Sequence, residues 1–300
     1  MGLDKLRAFL AEHPSFLEEA DPTMRLNKLH ALAAGIAAVA LSLTGCAGAP
    51  AASPSAPASG GAASSAPAVD YKLVTPGTLT VCSDIPYKPF EYEDPTTDTG
   101  YTGFDIDVVG AIAQKLGLQL KVIKTDFDAL QSGTALVANQ CDLGASAMTI
   151  TDERKKNLDF ADAYYDSLQS LLVKADSGIA NLAGTAGKKI GLQKGSTGKS
   201  YATKNAPQGA ELIDFPDDGK MFVALKAGQV DAILQDQPVN HQHEVDDPTY
   251  KIVETYNTNE QYGFALAKDK KPELLAAVNA TLKALRADGT YDTIYKKYFG

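Results

Sequence analysis

The sequence is poor in cysteine and contains no run of basic residues, and each of these absences argues against a class of function. Its three cysteines, Cys46, Cys82 and Cys141, are too few for a disulfide-built domain and too scattered for a zinc site. The formal net charge is −9, and Lys and Arg form no stripe that could contact a phosphate backbone. The composition therefore argues against a nucleic-acid partner, and an acidic surface mainly favours solubility.

A hydrophobic run long enough to span a membrane is also missing. The main apolar run, residues 31–43, would reach only about 20 Å as a helix, short of the roughly 30 Å hydrocarbon core of a bilayer. Arg25 and Lys28 precede this run and small residues follow it, which is typical of a secretory signal peptide. The run ends in LTGC, which resembles a bacterial lipobox and predicts that Cys46 is acylated and becomes the mature N-terminus.

Two further segments flank this signal. Residues 47–69 are Ala, Ser, Pro and Gly with a single Val, and we expect a disordered tether that reaches roughly 25–30 Å on average. Residues 1–23 are acidic where a signal peptide should begin basic, so we expect synthesis to start at Met24. We predict an upstream extension and signal peptide over residues 1–45, a lipidated tether over residues 46–70, and an exported protein anchored to the outer face of the cell membrane.

Beyond residue 70, short β-rich runs alternate with helical patterns, which predicts an α/β fold with largely parallel sheets. Residues 135–142 match residues 224–231 at five of eight positions, and both segments place an Asp before a small-residue strand. This internal sequence similarity indicates two lobes with similar structure. Strands are predicted over residues 79–83, 118–123, 141–145, 190–193 and 230–235, and helices over residues 105–116, 221–227 and 272–299, the last broken at Asp288-Gly289.

Three blocks of sequence resemble one family. Residues 103–116, GFDIDVVGAIAQKL, are similar to the signature of the family 3 bacterial extracellular solute-binding proteins, the polar amino-acid receptors of ABC importers. Residues 146–154, SAMTITDER, and residues 158–162, LDFAD, fit the same pattern. The resemblance covers about residues 79–299. It implies a binding protein, not an enzyme, that delivers a free amino acid to an ABC transporter permease.

The fold of that family is two-lobed, periplasmic-binding-protein-like and of type II, with two chain crossings between the lobes. The resemblance therefore implies a first lobe over residues 71–168 and 264–300 and a second lobe over residues 169–263. We expect the crossings near residues 166–173 and 259–265, and we expect the lobes to close over the ligand.

A free amino acid needs a cation for its carboxylate and an anion for its ammonium group. Arg154 is predicted in the first turn of a helix that begins at Thr151, where its guanidinium could bind a carboxylate through two hydrogen bonds. Asp236 follows a predicted strand, and a carboxylate there faces the crevice in open α/β sheets. By resemblance, Arg154 binds the carboxylate and Asp236 the ammonium group. The same resemblance implies that Thr149 and the Ala147 backbone contact the ligand head.

The second lobe offers the turn KGSTGKS over residues 194–200, which resembles the end of a phosphate-binding P-loop. A P-loop needs Gly where this chain has Gln193, and a Gly-rich turn entering a helix can instead point N–H groups at a carboxylate. By resemblance, Gly195, Ser196 and Thr197 contact the ligand from this lobe.

The remaining pocket residues also follow from the resemblance, in which an aromatic ring near the first strand covers the ligand. We choose Tyr87 for that ring, and Asp84 could meet a basic or hydrogen-bond-donating ligand side chain. No Lys or Arg is an obvious partner for an acidic side chain, so a basic or amide-type L-amino acid is favoured. The other predicted pocket residues are Phe90, Ser146, Gln193 and Gln235.

Two features admit a second interpretation. His241 and His243 could form part of a metal site, but no third ligand is evident, and a polar surface helix is favoured. Cys82 and Cys141 could pair in an oxidising compartment. If they lie on neighbouring parallel strands, however, their Cα atoms would be more than about 7 Å apart, which favours two free thiols.

Two rival functions stay open. One is a cyclohexadienyl-type dehydratase on the same fold, and the other is a sensory receptor that presents its ligand to a membrane kinase. A complete set of groups for a zwitterion favours binding over turnover. We therefore predict a monomeric binding protein with no cofactor and no metal.

Overall fold

The computed structural model describes residues 69–300, and none of the helices in this range is long and apolar enough to cross a membrane. The predictions for the signal peptide, for acylation of Cys46, for nearly all of the tether and for a start at Met24 lie outside the described residues. The strands are β1 (Thr78–Ser83), β2 (Tyr92–Glu93), β3 (Tyr101–Thr102), β4 (Gln119–Lys124), β5 (Leu143–Gly144), β6 (Leu158–Phe160), β7 (Tyr165–Lys174), β8 (Lys189–Gln193), β9 (Glu211–Phe215), β10 (Ala232–Asp236), β11 (Tyr250–Tyr262) and β12 (Ala265–Ala267). The α-helices are α1 (Phe104–Lys115), α2 (Phe127–Gln131), α3 (Thr134–Val137), α4 (Thr197–Asn205), α5 (Asp218–Lys226), α6 (Gln237–Asp246), α7 (Pro272–Ala287) and α8 (Thr290–Phe299).

Two five-stranded sheets organise the chain, one in each lobe. The sheet of lobe 1 has the strand order β4-β1-β5-β12-β6, and the sheet of lobe 2 has the order β11-β7-β10-β8-β9. The chain passes from lobe 1 to lobe 2 between β6 and β7 and returns between β11 and β12. After β12, the helices α7 and α8 pack on α1 of lobe 1. This two-lobed α/β architecture confirms the predicted fold class.

The sheets are less parallel than predicted. β1 pairs in parallel with β4 and β5, and β8 pairs in parallel with β9 and β10. β12 and β7, in contrast, run antiparallel to both of their neighbours. The prediction of largely parallel sheets is therefore wrong for half of the neighbouring pairs in the two five-stranded sheets. The antiparallel pairs involve the strands next to the two crossings, whose direction is set by the path of the chain between lobes and not by local periodicity.

Aromatic side chains fill the core of lobe 1. Phe90 and Phe104 are both fully buried, and their ring centroids are 6.2 Å apart in an edge-to-face arrangement. Gly103 lies between them at the start of α1 with φ 128°, and a Cβ atom there would lie 2.1 Å from the Phe90 carbonyl oxygen. Only glycine therefore lets the loop that carries Phe90 lie against the beginning of α1.

A disulfide joins Cys82 to Cys141, with their Cα atoms 5.7 Å apart. The expectation of two free thiols is therefore wrong. It assumed that Cys141 extends a straight strand beside β1, whereas β5 begins only at Leu143. Because Cys141 lies ahead of the strand, the spacing of two paired strands does not apply to it. Both half-cystines are buried in one cluster of lobe 1 with Leu130 and Met148.

Removing this disulfide is expected to destabilise the protein. The bond joins residues 59 apart in sequence, and restricting the unfolded chain over a loop of that length stabilises the folded state by about 4 kcal/mol in a chain-entropy model. We expect the Cys82→Ser/Cys141→Ser variant to lose about 2–4 kcal/mol of unfolding free energy in urea titrations. Wild-type protein with added reductant is the control and should lose a similar amount. Labelling of both thiols in the folded, unreduced protein would contradict the pairing.

Candidate functional site

A narrow cavity of about 10 Å³ lies between the two lobes, which are closed against each other. Lobe 1 contributes the loop after β1 and the segment that follows β5, and lobe 2 contributes the start of α4 and the end of β10. These are carboxyl ends of strands and the first turn of a helix, where side chains and free N–H groups converge. The lining residues are Asp84, Tyr87, Phe127, Ser146, Ala147, Thr149, Arg154, Gln193, Ser196, Thr197 and Asp236.

The structure brings ten of the thirteen predicted ligand-binding residues to this cavity. Gly195 is next to it, and its carbonyl oxygen accepts a hydrogen bond from Arg154 Nη2 at 3.0 Å. Phe90 lies in the aromatic core and is not among the residues that line the cavity in this structure. Gln235 does not line the cavity either, because successive side chains of β10 point to opposite faces. Asp236 therefore faces the cavity, whereas Gln235 lies within lobe 2.

Arg154 connects the two lobes from a buried position. Its Nη1 donates to the Thr149 carbonyl oxygen at 2.7 Å, and its Nη2 donates to the Gly195 carbonyl oxygen in lobe 2. The centre of the guanidinium lies 5.2 Å from the centroid of the Phe127 ring. Burial lowers the pKa of Arg154 to about 10, while the nearby Asp236 carboxylate acts in the opposite sense. Arg154 thus stays cationic at neutral pH and retains N–H groups for an anion.

The local structure around Arg154 differs from the prediction. Arg154 begins a single 3₁₀ turn, Arg154–Lys156, and not the first turn of an α-helix. The reason is the short distance along the chain to β6, which begins at Leu158 and leaves no room for a second turn. Thr151 still caps the turn, because its Oγ1 accepts the Arg154 backbone N–H at 3.1 Å.

Asp236 is the anion opposite Arg154. Its carboxylate accepts hydrogen bonds from the Tyr262 hydroxyl at 2.6 Å and from the Gln169 amide. Burial raises the pKa of Asp236 to about 7, and repulsion from Glu260 adds to this effect. A cationic group placed against Asp236 would stabilise the ionised form.

Asp84 supplies a second anion to the cavity lining. It directly follows β1 and accepts a hydrogen bond from the side-chain amide of Gln193 in lobe 2. Burial raises the pKa of Asp84 to about 7, the Gln193 hydrogen bond lowers it, and the Asp217 carboxylate raises it further. A hydrogen-bond donor on a ligand side chain would find both the carboxylate and the amide here.

Two residues of the site were missed by the sequence analysis. Phe127 lines the cavity from α2, in a segment with no recognisable motif. Glu260 lies on β11 and accepts hydrogen bonds from Thr149 Oγ1 at 2.7 Å and Thr197 Oγ1 at 2.8 Å, one hydroxyl from each lobe. It also accepts from the Gln169 amide at 3.2 Å. From the sequence, the segment around Glu260 was recognised only as a lobe crossing. The contacts of Glu260 with Thr149 and Thr197 join residues far apart in sequence, so no local pattern predicts them.

The charges around the cavity do not balance. The protein provides one guanidinium, Arg154, against three carboxyl groups, Asp84, Asp236 and Glu260. Bringing the lobes together removes these groups from water, which disfavours the ionised carboxylates. A molecule with a carboxylate for Arg154, a cation for Asp236 and a donor group for Asp84 fits this arrangement.

This imbalance predicts that pH controls closure of the ligand-free lobes. With the lobes together, the pKa values of Asp84 and Asp236 are about 7, raised from the ordinary 3.8 that we expect when the lobes are apart. The closed form therefore binds more protons, so closure is favoured at low pH and this contribution is lost as the pH rises through about 7. We expect the radius of gyration from small-angle X-ray scattering to fall between about pH 8 and pH 5.

A matched variant separates this effect from other changes in the size of the protein at low pH. Asp84→Asn/Asp236→Asn carries neutral amides at both positions, so we expect the variant to be compact already at about pH 8. An exposed acid-to-amide change, Asp98→Asn, should leave the pH dependence of the wild-type protein intact. A radius of gyration that is constant in the wild-type protein would contradict the prediction.

The two histidines lie away from the cavity, on α6. His243 Nε2 is 2.9 Å from Asp218 Oδ1, and the imidazole stacks on the Phe222 ring at 3.8 Å between centroids. His241 is exposed and faces Glu244. Within residues 69–300, no group of three or more His, Cys, Asp and Glu side chains could hold a metal ion.

Known proteins share both this sequence pattern and this fold. The ABC transporter glutamine-binding protein GlnH of Bacillus subtilis is 36% identical over 204 residues, which cover 65% of this chain and 72% of that protein. An ancestral arginine-binding protein bound to arginine is 39% identical with a TM-score of 0.68, covering 75% of this chain and 99% of the other. The ancestral amino acid-binding protein AncCDT-1, a precursor of cyclohexadienyl dehydratase, is 36% identical with a TM-score of 0.67, covering 75% and 96%.

The family model of the bacterial extracellular solute-binding proteins, family 3, matches residues 79–300, from β1 to the end of α8. The match spans every strand and helix that lines the cavity. The chain therefore belongs to family 3 of the bacterial extracellular solute-binding proteins.

Proposed function

We propose that this protein captures a free L-amino acid outside the cell and delivers it to the permease of an ABC importer. The observation that carries this proposal is the opposition of Arg154 and Asp236 across one cavity between the lobes. A zwitterionic head group needs this pair of charges, with the carboxylate on the guanidinium and the ammonium group on the carboxylate. Thr149 and Thr197 add a hydroxyl from each lobe.

The ligand side chain is proposed to be basic or amide-type, as in arginine or glutamine. Asp84 and Gln193 both line the cavity, and together they can accept and donate hydrogen bonds. The rings of Tyr87 and Phe127 line the cavity and offer flat faces to a guanidinium or amide plane. The excess of carboxylates favours arginine over a neutral ligand. GlnH and the ancestral arginine-binding protein are named for these two ligands.

A thermal-shift screen against the twenty common L-amino acids tests this proposal. A ligand that binds the folded state raises the melting temperature in proportion to the logarithm of its concentration. We expect the largest increase with L-arginine, a smaller one with L-glutamine, and none with L-glutamate. A folded protein whose melting temperature responds to none of the twenty would refute amino-acid capture.

Ligand capture is proposed to proceed through hinge closure. The ligand first contacts lobe 1 through Arg154, and lobe 2 then closes over it through Thr197 and Asp236. The lobe boundaries stay as proposed from the resemblance, with residues 71–168 and 264–300 in lobe 1 and residues 169–263 in lobe 2. Each lobe keeps its own sheet during the motion, and the two crossings next to β7 and β11 absorb it.

The enzyme alternative rests on AncCDT-1, which is described as an amino acid-binding protein and as a precursor of a dehydratase. In our proposal, both Asp84 and Asp236 bind cationic or donor groups of the ligand, which leaves neither free to transfer protons. Release of product during incubation with the ligand panel would favour the enzyme. A sensory role is distinguished by its neighbouring genes, since permease and ATPase genes support transport.

The cellular location is proposed to be the outer face of the membrane, with acylation at Cys46 and a flexible segment up to residue 70. Two or more acyl chains would hold a monomeric receptor at the membrane while the tether lets it reach the permease. Cys46→Ser should release the protein from the membrane fraction without changing its amino-acid affinity. Retention of this variant in the membrane fraction would contradict the anchor.

A further inference from the structure

Two carboxyl groups lie behind the cavity wall without a cation to neutralise them. Glu91 follows the loop that carries Tyr87, and Asp105 is in the first turn of α1. Both side chains are fully buried. In the part of the chain that the structure describes, no Lys, Arg or His side chain is within ion-pair distance of either group. Such groups are strongly destabilising unless something else removes the charge.

Each carboxyl group holds one of two consecutive residues of the cavity wall. Glu91 Oε1 accepts a hydrogen bond from Ser146 Oγ at 2.7 Å. Asp105 Oδ2 accepts from the Ala147 backbone N–H at 2.8 Å and from the Tyr164 hydroxyl at 2.6 Å.

Ala147 has φ 41°, a left-handed conformation that is unfavourable for a residue with a Cβ atom. Such a conformation persists only where surrounding contacts enforce it. The hydrogen bond to Asp105 is one such contact, so the shape of this cavity wall depends on the carboxyl pair.

The second oxygen of each carboxyl group has no partner. Glu91 Oε2 and Asp105 Oδ1 are fully buried, and neither is within hydrogen-bond distance of an N–H or O–H donor. The two carboxyl groups bind consecutive residues, Ser146 and Ala147, and the Asp105 backbone N–H donates to the carbonyl oxygen of the residue before Glu91 at 3.0 Å. A proton placed on one of these oxygens would provide the missing donor for the other.

We propose that Glu91 and Asp105 share one proton, with the Glu91 Oε2 hydroxyl donating to Asp105 Oδ1, and that this pair positions Ser146 and Ala147 at the cavity. Asp105 is the ionised partner because its other oxygen already accepts two hydrogen bonds. Sharing the proton leaves one negative charge where there would be two. The positioning role rests on the proposed capture of an amino acid, whereas the shared proton does not.

The environment of the pair favours retention of this proton. Burial raises the pKa of Glu91 well above its ordinary value, and repulsion from Asp105 adds to it. The carboxylates of Asp84 and Asp236 also face Glu91 and act in the same direction. Burial likewise raises the pKa of Asp105 to about 7, although its bonds from Tyr164 and Ala147 act against this.

Infrared spectroscopy tests the shared proton directly. The difference spectrum between the wild-type protein and Glu91→Gln at about pH 7 should show the C=O band of one protonated carboxyl group in the wild-type protein. The nearby exposed residue Glu93 supplies the control, since Glu93→Gln should leave that band in place. The bands of other protonated carboxyl groups are present in both proteins and therefore cancel in the difference spectrum. Absence of the band from the wild-type protein would overturn the proposal.

Stability at alkaline pH provides a second readout. A carboxyl group whose folded-state pKa is raised contributes stability that is fully present below its unfolded pKa and is lost as the pH rises from there through the folded pKa. As the pH rises from about 5 to about 9, the melting temperature of the wild-type protein should therefore fall more than that of Glu91→Gln, whose amide cannot lose a proton. Equal losses in the two proteins would overturn the shared proton even if both proteins bind amino acids.

Ligand affinity tests the positioning role. Glu91→Gln supplies an amide N–H in place of the shared proton, so its affinity for L-arginine should stay within about threefold of wild type. Glu91→Ala leaves the Ser146 hydroxyl without its acceptor and Asp105 Oδ1 without a donor, and should weaken binding about 10-fold or more. If Glu91→Gln binds as weakly as Glu91→Ala, the positioning role is refuted. If the wild-type protein itself binds no amino acid, the proposed function fails, while the infrared and stability results still decide the shared proton.

Discussion

Replacing Arg154 by lysine is expected to weaken amino-acid binding by at least about 100-fold, although the positive charge is kept. The guanidinium already donates from two nitrogens to carbonyl oxygens, Thr149 in lobe 1 and Gly195 in lobe 2. Its planar shape leaves further N–H groups aimed at a carboxylate. An ammonium group on a flexible stem cannot form both carbonyl contacts and a paired contact with the ligand.

The matched control is the other arginine of residues 69–300. Arg286 is exposed on α7, donates to the Ala163 carbonyl oxygen and does not line the cavity. Arg286→Lys should therefore bind as the wild-type protein does, and both variants should unfold cooperatively. Isothermal titration calorimetry measures the difference. An unchanged dissociation constant for Arg154→Lys would show that the carboxylate is bound elsewhere.

Replacing Asp84 by asparagine is expected to change which amino acid binds best. Removing this charge should weaken L-arginine binding by about 10- to 100-fold, the range expected for losing a charge-assisted hydrogen bond. Binding of L-glutamine should change only a few-fold, because an amide side chain can be paired with an asparagine amide. The variant has no repulsion between a carboxylate at position 84 and the Asp217 carboxylate. Its folded state should therefore be at least as stable as that of the wild-type protein.

Competition calorimetry with both ligands measures this shift in preference. Asp98→Asn, an exposed change of the same type in lobe 1, should leave the ratio of the two affinities unchanged. An equal loss for arginine and glutamine in Asp84→Asn would mean that Asp84 supports the cavity but does not contact the side chain. The proposed distinction between basic and amide ligands would then be wrong.

Local features of the fold were predictable from the sequence, whereas relations between distant segments were not. The helix at residues 105–116 was recognised because its apolar residues recur at helical spacing, and the structure places α1 at Phe104–Lys115. The direction of β12 and β7 was not recognised, because it depends on how the chain crosses between lobes. The disulfide was missed for a similar reason, since Cys141 precedes β5 and the sequence does not show where that strand begins.

In the candidate site, too, local features were predictable from the sequence and relations between distant segments were not. Arg154 and Asp236 were predicted to face a common cavity from a short motif and from a strand end, and the structure brings both to it. Phe127 lines the cavity, and Glu260 accepts hydrogen bonds from two threonine hydroxyls of the cavity wall; both were missed because each comes from a segment without a motif. The predicted strand did not fix which of its residues face the cavity, and the Gln235 amide donates to Asp218 within lobe 2. These are tertiary properties that local sequence patterns do not contain.

The most direct test of amino-acid capture is a calorimetric titration of the wild-type protein with L-arginine and with decarboxylated arginine, which has the same side chain but no carboxylate. The site requires the carboxylate for Arg154, so we expect one L-arginine per protein at micromolar affinity or better, a net free energy of about −8 kcal/mol or more favourable. Decarboxylated arginine should bind at least about 100-fold more weakly. Equal binding of the two compounds, or no binding of L-arginine and L-glutamine to the folded protein, would contradict the assignment of this cavity.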